Sequence, residues 1–458
     1  MKRMKLVIPP VEIDEQNPFK HDLLHRTEFA TALFNLISRV EEPLVISLDG
    51  RWGDGKTTFV RMWQGLLSQN GIKTIYFDAF ANDFVDDPFI AIASEIIRAA
   101  ETEFTGNESR KARLGDFKKT AAEVGGQLLG IAARVAVKAA TLGVVSSAEI
   151  EHLKELKDDV AKGVSDLAGK LIDERISAYT QEIESIRAFQ TTLESLASDI
   201  GGGSGKPLVI IIDELDRCKP TYAVQLVEKV KHLFSVTNIV FLLVMHREQL
   251  EESIRCVYGV NIDANTYLQK FVNLHCTLPR TIRTDPLEDY TAFCRRLYER
   301  HELEAWGDKE DLIKFTATLA DHLSASLRQV ERAFTLIAIY YASISKDYFR
   351  IPALIALLAL MKVIDPKLYG DVRANRATLD QVRAFVTFRG DPSDSAQNSR
   401  PYLIGLWLQY SLMSEAAYQR LPENDPIRRL ESRLWNWEVQ RETIIPICCS
   451  TLDVARVS

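Results

Sequence analysis

The sequence predicts an α/β protein in which a doubly wound parallel sheet carries a helical insertion and is followed by an all-helical C-terminal domain. Apolar runs of strand length lie at 44–48, 73–77, 207–213 and 238–246. Segments with helical spacing alternate with these runs, and this rhythm is typical of a parallel sheet covered by helices on both faces. From about residue 281 the strand signals fade and helical spacing dominates, which indicates a separate helical domain.

The first part of the predicted core covers residues 1–103. In chain order we expect a helix over 27–40, a strand at 44–48, a loop at 49–55, a helix over 56–67, a strand at 73–77 and a helix over 88–103. Pro88 favours the start of that last helix, because proline is tolerated in a first helical turn. Asp86 and Asp87 lie beside this end, where the helix dipole is positive.

Residues 104–206 are predicted to form a helical insertion. GNESRKAR at 106–113 is polar and predicts a loop, whereas after residue 150 apolar residues recur at steps of three, four or seven. This spacing is typical of a long amphipathic helix or a helical hairpin. It fits equally a hairpin packed on its own domain and a coiled-coil arm for a partner or a second subunit. GGGSGK at 201–206 is predicted to be a flexible joint back to the core.

The second part of the core is predicted at 207–280. PLVIIID at 207–213 is continuously apolar, as expected of a strand at the buried centre of a parallel sheet. The remaining expected elements are helices over 220–234, 248–256 and 264–272 and strands at 238–246 and 273–278. Residues 281–458 are predicted to form the helical C-terminal domain.

Composition and charge weigh against several classes of protein. The formal net charge is -7, so bulk charge gives no nucleic-acid signature. The six cysteines form no CxxC pair, so neither zinc nor a disulfide framework is indicated, and a cytoplasmic location is predicted. The N-terminus does not read as a signal peptide. Charges interrupt the apolar stretch 121–148, and 351–361 is too short to span a bilayer, so we expect buried or interface helices there.

The stretch GRWGDGKTT at 50–58 fits the phosphate-binding pattern GxxxxGK[ST], and it lies between a predicted strand and a predicted helix. Glycines let the backbone curl and present N–H groups to phosphate oxygens, and the next helix points its N-terminus at them. Lys56 is expected to neutralise the β- and γ-phosphates, and the Thr57 hydroxyl to ligate Mg²⁺. The expected binding residues are Gly50, Trp52, Gly53, Asp54, Gly55, Lys56, Thr57 and Thr58.

Two carboxylates follow the apolar strand at 207–213. In a parallel sheet its carboxyl end lies beside the phosphate loop. Asp213 is therefore expected to hold Mg²⁺, and Glu214 to act as general base on the attacking water. Because another strand lies between the two motifs in the sequence, we expect an additional strand to separate the loop strand from the Asp213 strand. Together these features predict hydrolysis of a nucleoside triphosphate.

GRWGDGKT at 50–57 and IIIDELDRCKP at 210–220 resemble the nucleotide motifs of the KAP family of P-loop NTPases, which is related to the STAND group of signalling ATPases. Trp52 matches the tryptophan before the second glycine of the first motif. Further similar segments lie at 22–33, 77–89, 267–279 and 326–334, so the resemblance covers about 20–370. Many members carry transmembrane hairpins between the motifs, but residues 104–206 are only weakly apolar, so we expect a version without them.

The resemblance implies a P-loop core of the ATPase branch with a catalytic glutamate, and ATP with Mg²⁺ as ligands. It implies that His246 is a sensor of the γ-phosphate, although His246 could equally be an ordinary histidine at a strand end. It implies that Arg328 is an arginine of the lid, although Arg328 could equally be an ordinary solvated residue. Arg217 either acts as a finger in trans or pairs with Asp216, and Arg26 could line the base or ribose.

The leading hypothesis is a Mg²⁺-dependent ATPase whose helical domain moves against the core. The sequence carries no nuclease, deaminase or protease signature, so any effector chemistry is expected on a protein partner. The resemblance suggests bacterial conflict systems such as defence against phage. Two alternatives stay open: a nucleotide-gated scaffold with little turnover, and a peripheral membrane ATPase that uses residues 121–148. Homo-oligomerisation also stays open.

Overall fold

The structure, a computed structural model, has a single sheet of five strands among the residues it describes. The strands are β1 (Leu44–Asp49), β2 (Thr74–Asp78), β3 (Leu208–Asp213), β4 (Ile239–Met245) and β5 (Leu274–Thr277). Their order is β2-β3-β4-β1-β5, and every neighbouring pair is parallel. The predicted parallel α/β core is confirmed. The expected strand between β1 and β3 is also present, and it is β4. Strand β2, which lies between the two motifs in the sequence, is at the edge of the sheet.

The structure describes residues 5–6, 12–105, 107–141, 160–201, 205–279, 286–386, 399–434, 437 and 439–454, with the side chains of 128–141, 160–178, 286 and 433 left out. Parts of the predicted arm (142–159) and of the predicted joint (202–204) lie outside these residues. The four-part domain division given above stays a prediction.

Helices cover both faces of the sheet. Those of the core and insertion are α1 (Thr27–Ile37), α2 (Lys56–Gln69), α3 (Pro88–Glu103), α4 (Glu108–Thr141), α5 (Val160–Ile200), α6 (Pro220–Lys229), α7 (Arg247–Tyr258) and α8 (Ala264–Gln269). A π-helical turn at Val230–Phe234 extends α6, so the helix predicted over 220–234 changes its winding there.

Strand β3 explains why the sheet needs cover on both sides. All six of its residues are buried. Val209 and Ile211 pack with α1 and α2 on one face, while Ile210 and Ile212 pack with α3, α6 and the insertion on the other. Successive side chains of a strand point to opposite faces, so a continuously apolar strand is stable only between two helical layers.

The base of the insertion packs on the core. The ring of Phe189 lies 5.1 Å from that of Phe89 in α3 and 5.4 Å from that of Phe117 in α4. The loop predicted for 106–113 is wrong from Glu108 onward, where α4 begins. The Asn107 side-chain oxygen accepts a hydrogen bond from the Arg110 amide, so a polar residue caps a helix here.

Among the residues described, the C-terminal part contains helices and their connections but no strand. Its helices are α9 (Pro286–Arg300), α10 (Lys309–His322), α11 (Leu327–Ala342), α12 (Pro352–Ile364), α13 (Pro366–Arg373), α14 (Leu379–Val386), α15 (Arg400–Leu412), α16 (Glu415–Gln419) and α17 (Ile444–Leu452). Every residue of 353–361 in α12 is buried, which confirms the expected core helix. Among the described helices, none is long and apolar enough to cross a membrane. Cys448 and Cys449 are buried here with free thiols.

Candidate functional site

The phosphate-binding pattern forms the turn between β1 and α2. Gly53 has a φ of +90° and Gly55 a φ of +81°, so both occupy backbone conformations that side chains disfavour. The Gly50 amide donates to the carbonyl of Met245, which ties the loop to the end of β4. The Gly53 carbonyl accepts from the Arg328 amide at 3.2 Å, which ties the loop to the start of α11. The loop therefore joins the sheet to the helical domain.

Lys56 is the first residue of α2 and is only 9% exposed. Its ammonium donates to the carbonyl oxygens of Gly50 at 2.5 Å and Arg51 at 3.4 Å, so it lies across the loop. A lysine held at a helix N-terminus beside a glycine turn can neutralise an anion bound to the loop amides. Asp54 of the same loop is buried.

Asp213, the last residue of β3, is 1% exposed and surrounded by hydrogen-bond donors. Its oxygens accept from the Glu214 amide at 2.8 Å and the Tyr76 hydroxyl at 2.9 Å, and the Thr57 side chain also bonds to it. Burial raises the pKa of Asp213, while these donors act in the opposite direction by favouring the carboxylate. The carboxylate and the Thr57 hydroxyl thus meet beside the phosphate loop, as expected for the carboxyl edge of a parallel sheet.

Glu214, the next residue, lines the open cavity beside the phosphate loop. It has a left-handed backbone with φ of 59°, which turns the chain sharply out of β3. The Arg217 guanidinium pairs with its carboxylate at 2.6 Å. Burial raises the pKa of Glu214, with a smaller contribution from the neighbouring charge of Asp213, while Arg217 lowers it. A raised pKa brings a carboxylate closer to the range that suits a general base.

Trp52 connects the loop to the segment after β3. Its indole N–H donates to Asp216, and its ring meets the ring of His246 nearly edge-on, with the centroids 5.7 Å apart. Asp216 is 8% exposed, and its second carboxylate oxygen has no partner among the described residues. His246 packs on Trp52, and its Nε2 lies 3.6 Å from a carboxylate oxygen of Glu248.

A cavity of about 200 Å³ opens over the loop, between the core and the helical domain. The predicted residues that line it are Arg26, Trp52, Gly53, Gly55, Lys56, Thr57, Thr58, Glu214, Arg217 and Arg328. The other predicted site residues lie outside its described wall; these are Gly50, Asp54, Asp213 and His246. The roles assigned to all these residues stay predictions.

Arg26 is 3% exposed at the start of α1, and its Nε donates to the carbonyl of Pro279 at 2.8 Å. Burial lowers its pKa to about 10, an effect that the carboxylates of Asp22 and Asp54 oppose. A buried cation in the cavity wall is suited to an anionic or hydrogen-bond-accepting ligand.

Sequence reasoning missed several residues of the site. Arg296 and Arg300 of α9 line the helical-domain side of the cavity, beside Phe293 and Leu297. Their spacing of four residues places them on one face of a helix. No signal in the neighbouring sequence shows that this face lies against the phosphate-binding loop. Tyr76 was missed for the same reason, since its partner Asp213 is 137 positions away.

The donor set fits a magnesium ion. Mg²⁺ binds through hard oxygen ligands, usually one or two from the protein together with water and substrate phosphates. The Thr57 hydroxyl and the Asp213 carboxylate provide such oxygens within hydrogen-bonding reach of each other. Among the described residues, no group of three or more His, Cys, Asp or Glu side chains could hold a metal alone. The Thr57 and Asp213 oxygens would hold the ion together with water and phosphate oxygens.

Three comparisons relate this chain to known proteins. The sequence model of the KAP family P-loop domain matches residues 26–344, more than half of the chain. A comparison with curated proteins gives no match. Among solved structures, that of the Aeropyrum pernix ORC2 protein in ADPNP–ADP complexes aligns with 99% of this chain and 97% of its own, with 12% identity and a TM-score of 0.36.

Proposed function

This chain belongs to the KAP family of P-loop NTPases, and we propose that it binds ATP with Mg²⁺ in the cavity between its core and its helical domain and hydrolyses it. The observation that carries the proposal is the meeting of Lys56, Thr57 and Glu214 in one cavity wall, with Asp213 hydrogen-bonded to Thr57. A phosphate-binding loop alone would be enough to bind phosphate. A carboxylate for the metal ion and a general base are needed in addition for hydrolysis.

The chain's own groups would act as follows. Amides of the glycine loop and the start of α2 would hold the phosphates, with Lys56 neutralising their charge. Thr57 and Asp213 would hold the magnesium ion, which when bound supplies positive charge at the phosphate oxygens. Glu214 would orient the attacking water and accept its proton. Arg328, on the cavity wall, would contact the phosphates from the helical domain.

A conformational signal can arise from this arrangement. The loop and the helical domain are joined directly, because the Arg328 amide donates to the Gly53 carbonyl. A nucleotide that contacts both sides differently before and after hydrolysis would shift their relative position. We propose that this shift acts on a protein partner that carries effector chemistry, in a defence setting suggested by the family. Mass photometry with and without ATP, combined with identification of the products of neighbouring genes, would test that part.

Phosphate release by wild type, Glu214→Gln and Lys56→Ala tests the enzymatic part. We expect Glu214→Gln to keep fluorescent-nucleotide binding but to lose about 10²–10⁴-fold in turnover, as for a missing general base. Lys56→Ala should lose binding as well. Glu252→Gln, an exposed carboxylate on α7, is the matched control and should behave like wild type. A Glu214→Gln rate equal to that of wild type would refute the catalytic assignment.

One observation favours the scaffold alternative. The Arg217 guanidinium already pairs with Glu214 at 2.6 Å, so the proposed base is engaged by a cation of its own chain. If the protein is a nucleotide-gated scaffold, wild type and Glu214→Gln would both release phosphate negligibly while ATP still changed the mass distribution. If Arg217 merely restrains an active base, Arg217→Ala would change the turnover rate.

A further inference from the structure

Tyr76 is placed by the register of the sheet beside the end of β3. The β2–β3 pairing sets Tyr76 opposite Ile211, two residues before Asp213. Residues two apart on a strand share a face, and a long side chain reaches its diagonal neighbour on the adjacent strand. The Tyr76 hydroxyl accordingly donates to Oδ2 of Asp213 at 2.9 Å. It lies behind the carboxylate and is not among the described residues that line the cavity.

The three hydrogen-bond donors to Asp213 would respond differently to a bound nucleotide and its magnesium ion. The Glu214 amide is fixed by the backbone and holds Oδ1. The Thr57 hydroxyl is itself a proposed metal ligand, so its oxygen would turn to the ion. Asp213 is 1% exposed, so bulk water cannot replace a lost donor. Tyr76 is therefore the side chain that keeps Oδ2 in place while Thr57 changes partner.

Tyr76 is itself held in one orientation. The guanidinium of Arg61 stacks on its ring, with Cζ 3.6 Å from the ring centroid. Arg61 lies one turn after Thr57 in α2, so the helix that carries the proposed metal ligand also clamps the tyrosine. The stacked ring is thus held where its hydroxyl meets the Asp213 carboxylate.

We propose that Tyr76 is a positioning residue for magnesium: its hydroxyl, braced by Arg61, fixes the Asp213 carboxylate in the orientation that receives the ion. This inference rests on the proposed MgATP function. Tyr76 does not line the described cavity and bonds to Asp213, so its effect on the ion would pass through Asp213. The expected signature is a selective loss of the magnesium-dependent part of nucleotide binding.

The test compares wild type, Tyr76→Phe and Tyr222→Phe by anisotropy of a fluorescent ATP analogue. Tyr222 is the matched control, since it is a buried tyrosine of the same core whose hydroxyl has no partner among the described residues. Each protein is titrated with the analogue in EDTA, and then with Mg²⁺ at fixed analogue. Thermal unfolding of all three variants checks that they are folded.

We expect Tyr76→Phe to bind the analogue in EDTA as wild type does, but to need about tenfold more Mg²⁺ for half-maximal tightening. That size corresponds to a lost hydrogen bond to a charged group, about 1.5 kcal/mol. Tyr222→Phe should have the wild-type magnesium midpoint. Arg61→Ala, which keeps the hydroxyl but removes its brace, should shift the midpoint in the same direction by less.

Two results would overturn the inference. One is a magnesium midpoint of Tyr76→Phe equal to that of Tyr222→Phe. The other is an equal loss of analogue binding with and without Mg²⁺, which would mean a general structural effect. A wild type whose binding is indifferent to Mg²⁺ would instead refute the proposed MgATP function itself, so the two failures are distinguishable.

Discussion

The contact between the phosphate loop and the helical domain makes a quantitative prediction for Gly53→Ala. A Cβ added to Gly53 would lie 2.6 Å from Cβ of Arg328 and 2.9 Å from Oγ of Ser326. Cβ of Arg328 is attached directly to the α11 backbone, so it cannot turn away as the end of a flexible side chain could. The added methyl group would therefore push the loop and α11 apart.

The expected magnitude has two parts. A non-glycine residue at the φ of +90° costs about 1–2 kcal/mol in backbone strain. Carbon atoms pack best at about 3.5–4.0 Å, so relief of the overlap needs a shift of about 1 Å. Overpacking of this kind costs about 1–3 kcal/mol. The sum is about 2–5 kcal/mol against the joined loop and helical domain.

Gly259→Ala distinguishes the cost of backbone strain from the cost of steric overlap. Gly259 has a φ of +100° and a ψ of 154°, a conformation that costs a non-glycine residue about 1–3 kcal/mol, and a Cβ there would meet nothing within 4 Å, so it carries strain without overlap. Thermal unfolding followed by fluorescence should show a larger drop in melting temperature for Gly53→Ala than for Gly259→Ala. Only Gly53→Ala should also weaken nucleotide binding. Equal melting temperatures for the two variants would refute the idea that the loop is packed tightly on α11.

Three further predictions concern stability. Trp52→Phe keeps an aromatic ring but removes the indole donor, so the Asp216 oxygen that accepts from it loses its partner. The other Asp216 oxygen already has no partner among the described residues, so thermal unfolding should report a loss of about 1–3 kcal/mol. Asp87→Ala removes the side-chain cap of α3, which should lower the free energy of unfolding by at least roughly 0.5–2 kcal/mol in chemical denaturation. The loss should not be smaller, because Lys229 also loses its ion-pair partner. Asp86→Ala, at an exposed neighbour, should show no such loss. Burial lowers the pKa of His301, so the unfolded chain takes up a proton first as pH falls below about 6.5. Melting temperature should therefore decline with acidification, and His301→Gln should lessen that decline; an unchanged pH profile would contradict the assignment.

Local sequence signals predicted most of the core. Local signals marked all five strands to within about two residues. The signal is strongest in β1, β3 and β4, because these strands are mainly buried and are therefore almost continuously apolar. The polar stretch at 106–113 misled because polarity alone does not distinguish a loop from the exposed face of a helix start. There, the Asn107 cap and the packing of Phe117 against Phe189 favour the helix.

Some residues of the candidate site could also be predicted from local sequence, and others could not. Gly53, Gly55, Lys56 and Thr57 were recognisable because the glycine conformations and the helix start that bind a phosphate are properties of consecutive residues. Arg296 and Tyr76 gave no such signal, since their place depends on how distant segments pack. His246 ends the predicted strand, yet its contact with Trp52 could be seen only once β4 and the loop were side by side.

The sequence by itself determined the parallel core, the phosphate loop and the carboxylates at the end of β3, because hydrophobic periodicity and turn chemistry act over a few neighbouring residues. Only the tertiary structure decided that α11 closes on Gly53, that Arg217 pairs with Glu214, and that Tyr76 holds Asp213. The physical reason is that hydrogen bonds and steric contacts depend on distance in space, and Tyr76 and Asp213, 137 positions apart in the chain, come within 2.9 Å only when β2 and β3 pair.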